Sequence, residues 1–272
     1  MSCVLVKYGG AAIDDPADRT RLMRDLARLH DAGSRVIVVH GGGPQMTAVA
    51  RSLGIQPTFV GGRRVTDAAM LEVVQMVLAG RINTDLMASA LGAGLPAIAM
   101  CAASGRFVTA VKRPPRKVPG ADHAVDFGFV ADVAKVDPKP ITTLWDAGFV
   151  PVLSSLVADA DGQLLNLNAD TLVRSIAGSL PLSDVVYVAD VRGVFADIDD
   201  PSSHIASIHE SDIPGLIDSG SVRGGMIAKL DEIGQLVRAN KLSAWIVGRD
   251  TDQPVSSALH GEPAQRTRIH AD

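Results

Sequence analysis

Short runs of β-branched residues alternate along this chain with longer stretches whose apolar positions recur every three or four residues. That alternation predicts a mostly parallel sheet with helices on both faces. Val4-Leu5-Val6 and Val36-Ile37-Val38-Val39 read as the first two strands, and further strands are expected at 96–100, 149–154, 184–188 and 244–247. Between the first two, Leu22, Leu26 and Leu29 share one helical stripe, with Asp14 and Asp15 as capping candidates and Gly33 as terminator. A second helix is expected from Pro44 to Gly54, and a third carries Leu71, Val74 and Leu78 on its buried face. From 105 to 133 the pattern weakens into alternating segments, Phe107-Val108 and Phe127 to Val133, which suit antiparallel hairpins lying over the sheet as a lid. No repeat, low-complexity tract or long linker interrupts the chain. Any division into lobes is therefore a tight one, placed near residue 178 after a helix that begins around Asn168.

The first two strands both end in glycine. Lys7-Tyr8-Gly9-Gly10 follows one, and His40-Gly41-Gly42-Gly43-Pro44 follows the other. A strand that stops in glycines at the mouth of a helix leaves backbone N–H groups open to an anion, and a phosphate suits that geometry. The glycines also lack the Cβ that would hold a phosphate away. Taken alone, each break also fits a tight turn with no ligand. A dinucleotide site fits less well, because the first break lacks the G-x-G-x-x-G spacing and the second lacks a helix-packing glycine three residues on. His40 is expected to order its loop through hydrogen bonds rather than to exchange protons.

Composition narrows the classes. At 272 residues and 47% hydrophobic, the chain can bury a full α/β core as one large domain or two joined lobes. A net charge of -4 leaves no electrostatic footprint for nucleic acid or an anionic membrane. The basic cluster Lys112, Arg113, Arg116 and Lys117 around Pro114-Pro115 reads as a solvated hairpin tip. Cys3 and Cys101 are too few and too far apart for a metal or disulfide framework, which suits a reducing compartment. No apolar run approaches the ~20 residues of a membrane span. The first strand begins almost at once, leaving no room for a targeting peptide, so a cytoplasmic protein is expected.

Five blocks in order carry a resemblance over about residues 3 to 250: Lys7-Tyr8-Gly9-Gly10, His40-Gly41-Gly42-Gly43-Pro44, Gly62-Arg63-Arg64-Val65-Thr66-Asp67, Asn166-Leu167-Asn168-Ala169-Asp170, and Gly224-Gly225-Met226-Ile227-Ala228-Lys229. Together they resemble the N-acetylglutamate kinases of the amino acid kinase family. The resemblance implies an α/β fold, an open αβα sandwich with a mainly parallel central sheet. It implies ATP with Mg²⁺ and phosphorylation of the side-chain carboxylate of N-acetyl-L-glutamate. Residues 1–178 would then hold the acceptor and the phosphoryl-transfer site, and residues 179–272 the nucleotide. The chain starts without the N-terminal helical extension of arginine-inhibited hexameric members, which by the same resemblance implies a homodimer without arginine feedback.

Phosphoryl transfer to a carboxylate brings two anions together, so positioning and positive charge do most of the work. Lys7 and Lys229 are the candidate charges, and the resemblance implies that Asp170 sits between them and keeps both ammonium groups oriented and charged. As a plain helix residue Asp170 would only favour the dipole. The backbone of Gly9, Gly10, Gly41, Gly42 and Gly43 would cradle phosphate. Arg64 is the candidate clamp for a substrate carboxylate, since a guanidinium binds a carboxylate bidentately, and the resemblance implies that this is the acceptor's α-carboxylate. Arg63 reads as a solvated neighbour. Asn166 and Asn168 alternate along an extended segment and would face the acceptor together, although Asn168 fits a helix N-cap equally well. Asp190, Gly193 and Gly225 are the nucleotide-side candidates, a turn aspartate being the alternative for Asp190. No protein metal ligand is expected. Ala189 stands where the family usually has Thr or Ser, and Ala102-Ala103-Ser104-Gly105-Arg106 replaces an Asp-Gly-like turn, so the substrate fit is the part that differs. A related carboxylate kinase for another N-blocked amino acid, such as carrier-protein-linked α-aminoadipate, and a non-catalytic nucleotide or amino-acid sensor are the alternatives.

Overall fold

The computed structural model describes residues 2–118, 122–197, 200–222, 225–261 and 266–271. Among them an eight-stranded sheet runs in the order Ser207–His209, Arg266–His270, Ser243–Gly248, Asp184–Ala189, Cys3–Tyr8, Arg35–His40, Val150–Ser154, Ala97–Cys101. Its pairings are parallel except that between Ser243–Gly248 and Arg266–His270. All six strands expected from the sequence are present, and the outer two, Ser207–His209 and Arg266–His270, were not foreseen. Ser207–His209 is only three residues long, and Arg266–His270, although Thr267 and Ile269 alternate inward, carries one strongly apolar residue among arginines and a histidine.

The chain builds the sheet outward from Cys3–Tyr8, first to one side through Arg35–His40 and later to the other through Asp184–Ala189. The crevice beyond the carboxyl ends of these strands is where an open α/β sheet receives ligands. Alternate side chains sort to opposite faces. Leu5 joins one core with Leu172, Ile176, Leu230 and Ile233, whereas Val4 and Val6 join the other with Leu22, Leu26, Val74 and Leu78. Burying each such side chain fully contributes about 1.5–3 kcal/mol.

The helices follow their local signals. Asp15 caps Pro16–Asp31 by accepting from the N–H groups of Ala17 and Asp18. Gly43–Ser52 starts on the second glycine break. The third expected helix is one helical run, Ala68–Val74 followed by Gln75–Ile82 in π geometry and Asn83–Gly92. Nothing in the sequence periodicity marks the π turn, which shifts the facing of Leu78 and Ile82. Val108–Lys112 and Ala131–Val136 pair antiparallel, as expected for 105–133, in a four-stranded sheet with Leu156–Ala158 and Leu164–Asn166. The basic cluster is less solvated than expected. Arg113 is buried and pairs with Asp132, as Arg116 does, while Lys112 pairs with Asp126.

Candidate active site

Parity along the first strand places Lys7 on the same face as Leu5. In register, Lys7 stands beside Tyr187 on one side and Val39 on the other. Two helices pack on this face, Ala169–Ala177 and Gly225–Asn240, and each presents its first turns toward the strand ends. Asp170 is the second residue of the former, and its Oδ1 lies 3.3 Å from Lys7 Nζ. That oxygen is buried and has no hydrogen-bond partner among the described residues, so the pair is an ionic contact off hydrogen-bonding geometry. Lys229, in the second turn of the latter helix, lines a cavity with Asp170, Thr171, Arg174, Tyr187 and Glu232. Its Nζ lies 5.8 Å from the centre of the Tyr187 ring. Burial first, then the Lys7 charge, pull the Lys229 pKa below that of an ordinary lysine, and Asp170 and Asp190 oppose the shift. Asp170 thus pairs directly with Lys7 and reaches Lys229 through the cavity they share.

The glycine breaks enclose the same space. A Cβ on Gly9 would come 3.4 Å from Lys7 Nζ, and one on Gly41 would come 3.8 Å from the Ala169 side chain. Gly42 has no room for one, since Leu78 and Ile82 of the π segment would stand 2.5 Å away. Gly10 needs its glycine for backbone reasons, with φ at +71°. Around Gly43 there is space for a side chain, and its carbonyl accepts from Arg64. His40 does order this loop: it is fully buried, with Nε2 3.1 Å from Asn83 Oδ1, and the Asn83 amide donates to the Met100 carbonyl. Burial lowers the His40 pKa, and its hydrogen bonds to Gly41 and Asn83 oppose that shift. Gln45 was missed. Its amide donates to the Gly10 carbonyl at 3.0 Å and to Asp14 at 2.7 Å, tying the two breaks together.

Arg64 is half-buried, and its Nη2 donates to the Gly43 carbonyl at 3.0 Å and to Thr47 Oγ1 at 2.8 Å. Its guanidinium lies 4.7 Å from the Phe59 ring centre. These partners are neutral, so they hold the cation in place without cancelling its charge; the neighbouring Arg63 is exposed. Asn166 donates from Nδ2 to Thr66 Oγ1 at 3.1 Å, which fixes it against the Arg64 segment. Asn168 is the N-cap of its helix, its Oδ1 accepting from the N–H groups of Asp170 and Thr171, so only its amide N–H₂ remains for a ligand.

On the other side of the crevice, Asp190 follows its strand directly and is 57% exposed, with Arg249 Nε 3.0 Å from Oδ1. Its Oδ2 would come 3.0 Å from a Cβ on Gly10, which brings Asp190 to the first glycine break. Gly193 packs against His204 and Thr267, and the structure thereby accounts for it by close packing. Gly225 opens the Lys229 helix, while Gly224 of the same block lies outside the described residues.

The amino acid kinase family model matches residues 2–248. The chain belongs to this family. A protein of Anaeromyxobacter dehalogenans named acetylglutamate kinase is 38% identical over 273 residues, covering 100% of both chains. Another of that name, from Sorangium cellulosum, is 44% identical over 247 residues, 90% of this chain and 87% of that one. Among solved structures, N-acetylglutamate synthase from Neisseria gonorrhoeae, complexed with coenzyme A and N-acetyl-glutamate, superposes with a TM-score of 0.83 at 20% identity. It covers 100% of this chain, which spans only 60% of the synthase, and at that identity the likeness speaks for the fold alone. The parallel sheet between two helical layers is this family's fold.

Proposed function

We propose that the protein transfers the γ-phosphoryl group of ATP to the side-chain carboxylate of N-acetyl-L-glutamate, a step of arginine biosynthesis. A carboxylate oxygen attacks phosphorus, the bond to the β-phosphate oxygen breaks, and ADP leaves. No general base is needed, because the attacking carboxylate is ionised at neutral pH. What the protein supplies is alignment and charge. Lys7, held by Asp170, and Lys229 would flank the moving group, and the N–H groups of Gly9, Gly10, Gly41, Gly42 and Gly43 would receive its oxygens. Arg64 would bind the acceptor's α-carboxylate, and Asn166 and Asn168 its amide and carboxylate. Asp190, Gly193 and Gly225 would line the nucleotide side. The reading rests on the meeting of Lys7, Asp170 and Lys229 at one strand end, in a chain whose relatives are named acetylglutamate kinases.

Among the described residues no group of three or more His, Cys, Asp or Glu side chains is arranged to hold a cation. Mg²⁺ would arrive on the nucleotide's phosphates, and the exposed Asp190 lies beside the first glycine break where those phosphates would sit. When bound it would offset phosphate charge. The proposal includes a division near residue 178, with acceptor and phosphoryl transfer served by the first part and the nucleotide by the second. A homodimer in the cytoplasm completes it. The exposed Leu53, Met76 and Leu91 support self-association, and the free Cys3 and Cys101 support a reducing compartment. Among the described residues no helix is long and apolar enough to cross a membrane.

The test is ADP release with N-acetyl-L-glutamate against free glutamate, aspartate and α-aminoadipate. N-acetylglutamate is expected to be the preferred acceptor. Arg64→Ala should raise its KM by about 10- to 100-fold, the loss of a charge-assisted contact, with the ATP KM unchanged. Turnover only with a carrier-linked aminoadipate, or ATP binding with no turnover on any acceptor, would overturn the assignment.

A further inference from the structure

A second set of charges sits beside the lysine cluster. Asp18, in the first turn of helix Pro16–Asp31, is only 6% exposed, and its two oxygens serve two guanidinium groups. Oδ1 accepts from Arg21 Nη1 at 2.5 Å, and Oδ2 accepts from Arg249 Nη1 at 2.5 Å. Arg249 immediately follows the strand Ser243–Gly248. Its backbone N–H donates to the Ala189 carbonyl at 2.8 Å, and its carbonyl accepts from Arg21 Nη1 at 3.0 Å. From this anchored position its Nε reaches Asp190 Oδ1 at 3.0 Å. A continuous chain of contacts therefore runs from a buried helix carboxylate to the exposed carboxylate at the edge of the switch-point crevice.

The arrangement has a physical consequence. An exposed aspartate facing a polyphosphate repels it and samples several rotamers. A guanidinium is a rigid planar fork, so one pinned at Nη1 by a buried carboxylate presents Nε in a fixed direction. The two aspartates and two arginines sum to zero charge, and the crevice edge then offers an oriented acceptor without net repulsion.

We propose that Arg249 is a positioning residue for Asp190, itself fixed by the buried Asp18, and that this clamp sets nucleotide affinity rather than the rate of phosphoryl transfer. The inference rests on the reading of Asp190 as a nucleotide-side residue. Asp18 and Arg249 act through Asp190 and touch no reacting atom.

Calorimetric titration of the full chain with ADP and Mg²⁺ tests it without any acceptor, alongside steady-state kinetics and a thermal melt. Arg249→Met should weaken ADP binding at least about 10-fold, the loss of one charge-assisted contact. The acceptor KM and kcat at saturating ATP should change by less than about twofold. Asp18→Asn should act in the same direction. In an Asp190→Asn background, Arg249→Met should add little, because its effect passes through the missing carboxylate. Unchanged ADP affinity, or full additivity with Asp190→Asn, would overturn the clamp. Should Arg249→Met fail to fold, Arg249→Lys, which keeps the charge but not the fork, carries the same cycle. Failure of the wild-type chain to bind ADP would instead strike the kinase assignment on which the clamp depends.

Discussion

Lys7 and Lys229 carry the same charge to the same strand end, but their surroundings differ. Lys7 has a carboxylate at 3.3 Å and leaves 18% of its side chain exposed. Lys229 lies against the Tyr187 ring, and its pKa is drawn down by burial and by Lys7. A lysine beside a carboxylate is oriented before any ligand arrives. One held against a ring and a like charge is stabilised further as an ammonium when an anion enters. Arg64 belongs with Lys229, for its partners are a carbonyl, a hydroxyl, a thioether and a ring. Among the described residues neither Lys229 nor Arg64 makes an ion pair with a carboxylate, which in the proposed reaction leaves both charges for the anions of the substrates.

The largest expected effect removes either charge. Lys7→Ala and Lys229→Ala should each lower kcat by at least about 100-fold, the size of one lost transition-state contact. The comparison adds a difference between them. Lys7→Ala leaves Asp170 unpaired next to the incoming phosphate, so ATP binding should weaken as well, whereas Lys229→Ala should act more on kcat. Equal effects on ATP affinity, measured by calorimetry, would erase the distinction drawn here; unchanged turnover in either variant would remove that lysine from the site.

A smaller effect lies in the pH profile. In the proposed reaction Lys229 acts as an ammonium, and its pKa is lowered from the ordinary 10.5, so it loses its proton at lower pH than a typical lysine. Activity should therefore fall as pH rises, with the alkaline limb of kcat/KM for ATP below the ordinary lysine range, because that ratio reports the free enzyme. Lys229→Arg, charged throughout, should move that limb upward even if its kcat is reduced. A limb that stays in place would belong to another group.

Much of this was legible in the sequence. Six of the eight sheet strands and the antiparallel hairpin carry period-two or β-branched patterns, and the glycine breaks mark the strand ends at the candidate site. Lys7 and Asp170 could be paired only by analogy, since 163 positions of chain separate two residues whose contact depends on sheet order and helix packing. The Asp18–Arg249 contact was invisible for the same reason, with no local pattern to announce it. Gln45 looked like an ordinary helix residue until the Gly10 carbonyl was placed beside it. Asn168 shows the opposite case: its local signal fitted a cap as well as a ligand contact, and the structure shows the cap. In general, the sequence spoke for what neighbours in the chain decide, and the fold was needed wherever a charge finds its partner across the sheet.

The smallest expected effect separates the structural from the functional meaning of Asp170. Its pair with Lys7 is partly exposed and off hydrogen-bonding geometry, so Asp170→Asn should change folding stability by no more than about 1 kcal/mol, as for other accessible ion pairs. The amide keeps the shape of the carboxylate but removes its field. Since Asp170 raises the Lys229 pKa, its loss should push the alkaline limb of kcat/KM further down and lower kcat as Lys7 loses its orientation. A thermal melt and a pH profile on the same variant distinguish the outcomes. A large drop in melting temperature with an unmoved limb would make Asp170 a stabilising residue of the helix, and the contrast between Lys7 and Lys229 would then owe nothing to it.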